Sequence, residues 1–273
     1  MFCNQHALTG QPAGPAVDAG LIRAEISAHL HRPRRTSRQG VQVAFYGGSF
    51  TGLSETRQRE LLGAVQPFLK HGEVDQIRLS TRHDYIDPDI TAFLKSHGVG
   101  IVELGVQSMD DAVLVASGRG HTGADSERAI KCLQDGGLEV GVQLMVGLPG
   151  DRPGLIFKGV ERLASLRPDL ARIYPAAVLK GSALEDEYRS GSYRPLGLAK
   201  AVAISGRVKE ILDANGIRVV RIGLQETDGL QADIVAGPYH PAFGEMVLSR
   251  NLYRKVMTAL AGLKGSGRRQ LKV

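Results

Sequence analysis

No apolar run in this 273-residue chain approaches the ~20 residues that a bilayer-spanning helix needs. The first residues, MFCNQHALTG, do not form the apolar stretch of a secretory signal, so the expected location is the cytoplasm, with no membrane partner. Cysteine is scarce. Cys3 and Cys132 are the only two, and two thiols so placed make no disulfide framework. Cys132, in AIKCLQ, reads as a core residue on the apolar stripe of a helix. Cys3, beside Asn4, Gln5 and His6, reads by itself as an exposed thiol. No His/Asp cluster with metal-ligand spacing stands out, which argues against a barrel hydrolase or aldolase.

What is present is ample apolar material. Hydrophobic residues make up 42%, enough for one large α/β domain or two small ones. The formal net charge is +6, concentrated in HRPRRTSR (His31 to Arg38) and in the tail from Lys264 to Lys272. Such patches suit nucleic acid, and a solvated loop and a frayed tail explain them equally well.

Helical and strand patterns alternate along the chain. Helices are expected at Ala19–His31, Ser54–Lys70, Pro88–His97, Asp111–Ala116, Ala124–Gln134, Pro153–Leu166, Leu198–Ala214 and Phe243–Leu263. Apolar runs predict strands at Val41–Tyr46, Gln76–Ser80, Gly100–Val106, Leu138–Val146, Leu170–Tyr174 and Ile217–Ile222. Repeated βα units with near-continuous apolar strands imply a parallel sheet with helices on its faces. Polar residues gather at strand ends: Ser49, Ser80 to Arg82, Gln107 and Gln143. In a parallel barrel that end is the active face. The expected domains are residues 1–195 as a barrel, 196–263 as a C-terminal α/β extension packed on it, and 264–273 as a basic tail.

The chain is organised around VQVAFYGGSFTGL, Val41 to Leu53. It reads as a buried strand, a glycine pair and a helix start. Without Cβ atoms, Gly47 and Gly48 let backbone approach a small polar ligand, although a simple turn also explains them.

Six segments in order resemble the radical S-adenosylmethionine (SAM) superfamily: FCNQ (Phe2 to Gln5), YGGSFTGL (Tyr46 to Leu53), STRHDYI (Ser80 to Ile86), ELGVQSMDDAVL (Glu103 to Leu114), RGHT (Arg119 to Thr122) and LMVGLPGD (Leu144 to Asp151). The likeness is to the elongator-catalytic-subunit-like branch, more loosely to oxygen-independent coproporphyrinogen oxidase, and runs from about Phe2 to Leu184. It implies an α/β fold, a partial (βα)6 TIM-like barrel of parallel strands with outer helices. It also implies a 4Fe–4S cluster held by three cysteines, with SAM on the fourth iron. An electron through the cluster then cleaves SAM to a 5′-deoxyadenosyl radical.

By the same resemblance Cys3 is one cluster ligand and Phe2 its aromatic neighbour. Gly47, Gly48 and Ser49 meet the SAM amino group through backbone oxygens. Ser80 and Gln107 face the methionine or ribose part, and Gln143 the ribose. Arg119 pairs with the SAM carboxylate, a role that suits a planar fork of donors. Gly147 to Gly150 bring backbone near adenine, or simply turn the chain. Candidates to face substrate are Glu103, Arg82, His83, His121, Tyr174 and Lys180. Packing or surface charge explains these as well, and a turn explains His240. RIGLQ (Arg221 to Gln225) and GPYHPAF (Gly237 to Phe243) look like a subfamily signature without an assigned role.

One departure matters. The other two cluster cysteines and the first barrel strand would lie upstream of Met1, so the chain as given is expected to be inactive as a radical enzyme and poorly soluble. A longer natural protein and a degenerate member both account for this. The leading reading is therefore a radical SAM enzyme, when full-length, with an unidentified electron donor and an unknown substrate. That substrate is RNA if the branch is a guide. However, only about 90 residues follow Leu184, too few to include the branch's acetyltransferase domain. The alternative is a non-catalytic SAM- or nucleic-acid-binding scaffold.

Overall fold

The computed structural model describes residues 17–32, 40–225 and 229–262. Phe2, Cys3 and the tail 264–273 lie outside them. The elements run α1 (Ala19–Leu30), β1 (Gln42–Phe45), α2 (Glu55–Lys70), β2 (Gln76–Thr81), α3 (Pro88–Ser96), β3 (Val99–Gln107), α4 (Asp111–Ala116), α5 (Gly123–Asp135), β4 (Glu139–Val146), α6 (Pro153–Ser165) and β5 (Leu170–Pro175). Then come β6 (Val178–Leu179), α7 (Ala183–Arg189), α8 (Leu198–Ala214), β7 (Arg218–Ile222), α9 (Leu230–Asp233), β8 (Ile234–Ala236) and α10 (Phe243–Ala261).

Local chemistry sets these boundaries. Asp18, Ser54 and Asp87 accept from the third backbone N–H beyond them, at 2.7, 3.4 and 2.8 Å. Thr122 and Asp125 form a reciprocal capping box before α5. Gly137 and Gly216, at φ 71° and 75°, take the left-handed turn after α5 and α8.

Six strands form one parallel sheet in the order β1-β2-β3-β4-β5-β7. Sequence neighbours are spatial neighbours throughout. With right-handed crossovers, that order places the helices that connect its strands on the same face and curls the sheet into a half-barrel. The core confirms it. Ile77, Leu79, Val102, Leu104, Val140, Val142 and Ile173, alternate residues of their strands, cluster with Leu62, Ile130, Leu163 and Val208 of the helices. The helices therefore cover one face of the sheet, not both. The other face lines the lumen, and the polar residues sit there.

β7, from the segment expected to form a C-terminal extension packed on the barrel, supplies the sixth strand beside β5. β6 and β8 pair antiparallel. At two and three residues they are too short for any sequence period to reveal. Cys132 is half-buried, not fully in the core, with its thiol 3.5 Å from Thr91 Oγ1.

At the other end of the sheet, β1 pairs with β2 alone, and its far edge meets no strand among the described residues. A groove of about 1160 Å³ runs between that edge and α1, lined by Ile22, Ile26, Val43 and Phe45 and reaching Gly47 to Ser49.

Candidate functional site

The carboxyl ends of β1 to β3 bring Gly47 to Ser49, Ser80 and Gln107 to one mouth, while Gln143, expected at the end of β4, lies in the middle of that strand. After β1 the chain turns at Gly47, φ 103°. A Cβ on Gly48 would meet nothing within 4 Å, so its backbone stands open. Ser80, at the end of β2, donates to the Gly48 carbonyl at 3.3 Å. Ser49 precedes a short turn, Phe50 to Gly52, whose Thr51 hydroxyl lies 2.5 Å from that of Thr81. These contacts tie the glycine loop to β2.

β3 ends in an outlier. Gln107 has φ 65°, the left-handed region that a side chain disfavours, at a cost of about 1–3 kcal/mol. Its side chain folds back over Gly105, where an added Cβ would lie 3.0 Å from Gln107 Nε2 and 3.3 Å from Arg119 Nη2. Arg119 donates from Nη2 to the Gly105 carbonyl at 3.0 Å. The two side chains thus share the space left by the missing Cβ. Gln107 is 8% exposed, and its Oε1 is buried without a hydrogen-bond partner.

Behind Arg119 lie His83 and His121, both buried, with ring centroids 4.2 Å apart. The Ser126 hydroxyl lies 3.1 Å from His83 Nε2. Burial, then His121 and Arg119, push the His83 pKa down to about 3. Burial and Arg119 lower that of His121. Both rings are neutral near pH 7, and they back the site rather than face its opening. Arg82 pairs with Asp84 at the surface, at 2.9 Å, and the His240 ring accepts from Ala242 N–H within its own turn.

The Gly147–Gly150 loop after β4 is braced from two sides. Tyr193 donates its hydroxyl to the Gly147 carbonyl at 2.6 Å, and Gly147 N–H donates to Asp151 Oδ2 at 3.2 Å. Burial raises the Asp151 pKa to about 6. Lys180 is exposed after β6, and Tyr174 is half-buried on the lumen face of β5.

Deeper in the lumen, Glu103 of β3 is fully buried and accepts from several strands at once. Arg78 Nε lies 2.5 Å away, Arg172 Nε 2.6 Å, Tyr46 Oη 2.5 Å and Gln143 Nε2 3.4 Å. Burial alone would raise its pKa, but Arg172 and Tyr46 outweigh it, and the net shift is downward. Burial and then the carboxylate push Tyr46 up to about 12, so it stays a donor. Gly141 leaves the room: a Cβ there would strike Glu103 Cγ and Leu170 Cδ1, each at 2.6 Å. The sequence reading singled out Glu103 and Gln143, met Arg221 only within RIGLQ without a role, and missed Arg78, Arg172 and Tyr46. The signal of the arginines was a single charged residue within an apolar strand, as in IRLS, ARIY and VRIG.

Comparison with known proteins settles the family. The profile described as the Radical SAM superfamily matches residues 2–154, more than half of the chain. The chain belongs to the radical SAM superfamily. A second profile, the Radical_SAM C-terminal domain, matches residues 168–254 of this radical SAM protein. Its relatives include tRNA uridine(34) acetyltransferases. That of Methanocaldococcus infernus is 32% identical over 197 residues, 71% of this chain and 36% of that protein. That of Methanocaldococcus jannaschii is 34% identical over 173 residues, 62% of this chain and 31% of that protein. The chain thus spans about a third of the length of these relatives. In fold it resembles archaeal Methanocaldococcus infernus Elp3 with an N-terminal deletion, at a TM-score of 0.74, 24% identity, and coverage of 87% of this chain and 59% of that one. It also resembles coproporphyrinogen III oxidase from Escherichia coli, at a TM-score of 0.54, 18% identity, and coverage of 78% and 47%. Both likenesses bear out the partial barrel. Among the described residues no helix is long and apolar enough to cross a membrane.

Proposed function

We propose that the mouth of the half-barrel is a SAM cradle of a radical enzyme acting on RNA. Gly47, Gly48 and Ser49 would present backbone to the amino group, Arg119 its guanidinium to the carboxylate, and Ser80, Gln107 and Gln143 their polar atoms to the methionine and ribose parts. Cys3 would supply one thiolate to a 4Fe–4S cluster. Among the described residues the only thiol, Cys132, packs against Thr91 on the helical layer and is not a candidate.

The donor set suits the cofactor. The observation that carries this reading is Gln107: a buried amide with an unpartnered oxygen, held in a strained backbone state beside Arg119 at a strand end. Strain and an orphaned acceptor are expected where a ligand supplies the missing hydrogen bond, here a ribose hydroxyl. When bound, the cluster supplies the electron that cleaves SAM to a 5′-deoxyadenosyl radical. The protein's part is to hold SAM in one orientation and keep water out. RNA as the substrate rests on the likeness to the tRNA uridine(34) acetyltransferases.

Equilibrium binding of SAM tests the cradle. Wild-type protein is expected to bind SAM, and Gln107→Ala and Arg119→Gln to bind it about tenfold more weakly, the loss of one charge-assisted or well-aligned hydrogen bond. Unchanged affinity in both variants would remove the assignment. Anaerobic reconstitution with iron and sulfide, read by visible absorption and 5′-deoxyadenosine release, separates a radical enzyme from a scaffold that only binds SAM.

A further inference from the structure

The lumen beneath the cradle is unusual for a parallel barrel, where Val, Ile and Leu ordinarily fill the interior. Here three arginines project from β2, β5 and β7, and one carboxylate, Glu103, answers them. Glu103 is 0% exposed, whereas the side chains of Arg78 and Arg172 are 13% and 15% exposed. The anion is therefore hidden behind its partners, and a ligand entering the lumen meets the cationic side.

Donor capacity is left over. Arg78 binds Glu103 through Nε, and its Nη2 is buried with no acceptor. Arg221 makes no ion pair among the described residues. It is the register partner of Arg172 on the neighbouring strand, about 5 Å away backbone to backbone. The Tyr174 hydroxyl lies within the field of both Arg172 and Arg221. The Arg221 guanidinium, the edge of Arg172 left over by its bonds to Glu103 through Nε and Nη2, and the phenol beside them match a tetrahedral oxyanion that accepts several hydrogen bonds.

We propose that Arg221, with Arg172 and the free edge of Arg78, forms a phosphate-binding floor that holds a nucleotide phosphate of the substrate while the reacting part lies toward the mouth. This rests on the reading of RNA as substrate, and it adds the group recognised and the residues that recognise it. The same guanidiniums suit a carboxylate, so the test separates a substrate phosphate from the carboxylate of SAM.

The experiment titrates uridine 5′-monophosphate, uridine and SAM separately onto wild-type protein and onto Arg221→Gln and Arg221→Lys. Arg221 is chosen because it bears no part of the Glu103 network, and melting temperature is followed in each variant. Wild type is expected to bind the monophosphate about tenfold more tightly than uridine. Arg221→Gln should bring that ratio to about one without moving SAM affinity, and Arg221→Lys should keep part of it. The proposal is overturned by equal binding of nucleoside and nucleotide, by no detectable nucleotide binding, or by a ratio that survives Arg221→Gln. A loss of SAM affinity instead would assign the floor to the cofactor and also overturn it. Failure of the SAM cradle is a separate result, wild-type protein that does not bind SAM at all.

Discussion

Arg172 grips Glu103 with both ends of its guanidinium, Nε to Oε2 at 2.6 Å and Nη2 to Oε1 at 3.0 Å, across two strands of one sheet. Arg78 reaches the same carboxylate from the other side at 2.5 Å. Removing the acceptor strands two largely desolvated cations. Glu103→Ala is expected to lower unfolding free energy by about 3–5 kcal/mol, measured by urea denaturation. A change within error would mean that the network adds nothing to stability.

Acid should weaken the fold through His83. Its pKa in the folded protein is about 3, against 6.5 for an unperturbed imidazole. As pH falls below 6.5, the unfolded chain takes up this proton first. The stability contributed by neutral His83 is complete above that value and is lost down to about 3. Over that window one proton gives a slope of about 1.4 kcal/mol per pH unit. His83→Gln should make the dependence shallower by that amount. An identical slope in the variant would show that His83 is not the titrating group.

Gln107 should behave as a residue kept for binding at the expense of stability. Gln107→Gly relieves the left-handed backbone and is expected to leave the melting temperature unchanged or raise it, a gain of up to about 1 kcal/mol. SAM affinity should fall about tenfold at the same time. A lower melting temperature with intact SAM binding would mark Gln107 as structural.

The outer edge of β1 is a template for pairing between chains. Gln42 is exposed on that strand. Gln42→Lys is expected to reduce light scattering of concentrated protein without changing SAM binding. Equal scattering would show that this edge does not drive association.

Most of the fold was legible in the order of residues. Ser54 announced a helix start, and the six predicted strands fell within one or two residues of their limits. The candidate site was legible in part, because Gly48, Ser80 and Gln107 stand at strand ends, whereas Gln143, expected there too, lies mid-strand and donates to Glu103. Gln107 carried no sign of its backbone strain. Arg78, Arg172 and Arg221 looked like isolated charges in separate strands, with Arg78 and Arg172 94 positions apart.

The sequence by itself determined the parallel βα architecture and the end of the sheet at which chemistry gathers, because hydrophobic period and capping are local and every unit repeats them. Only the tertiary structure decided what fills the lumen. Which charges meet depends on strand order, register and the space left by Gly105 and Gly141. Those are relations between distant segments, and electrostatic energy depends on the distances that such relations set.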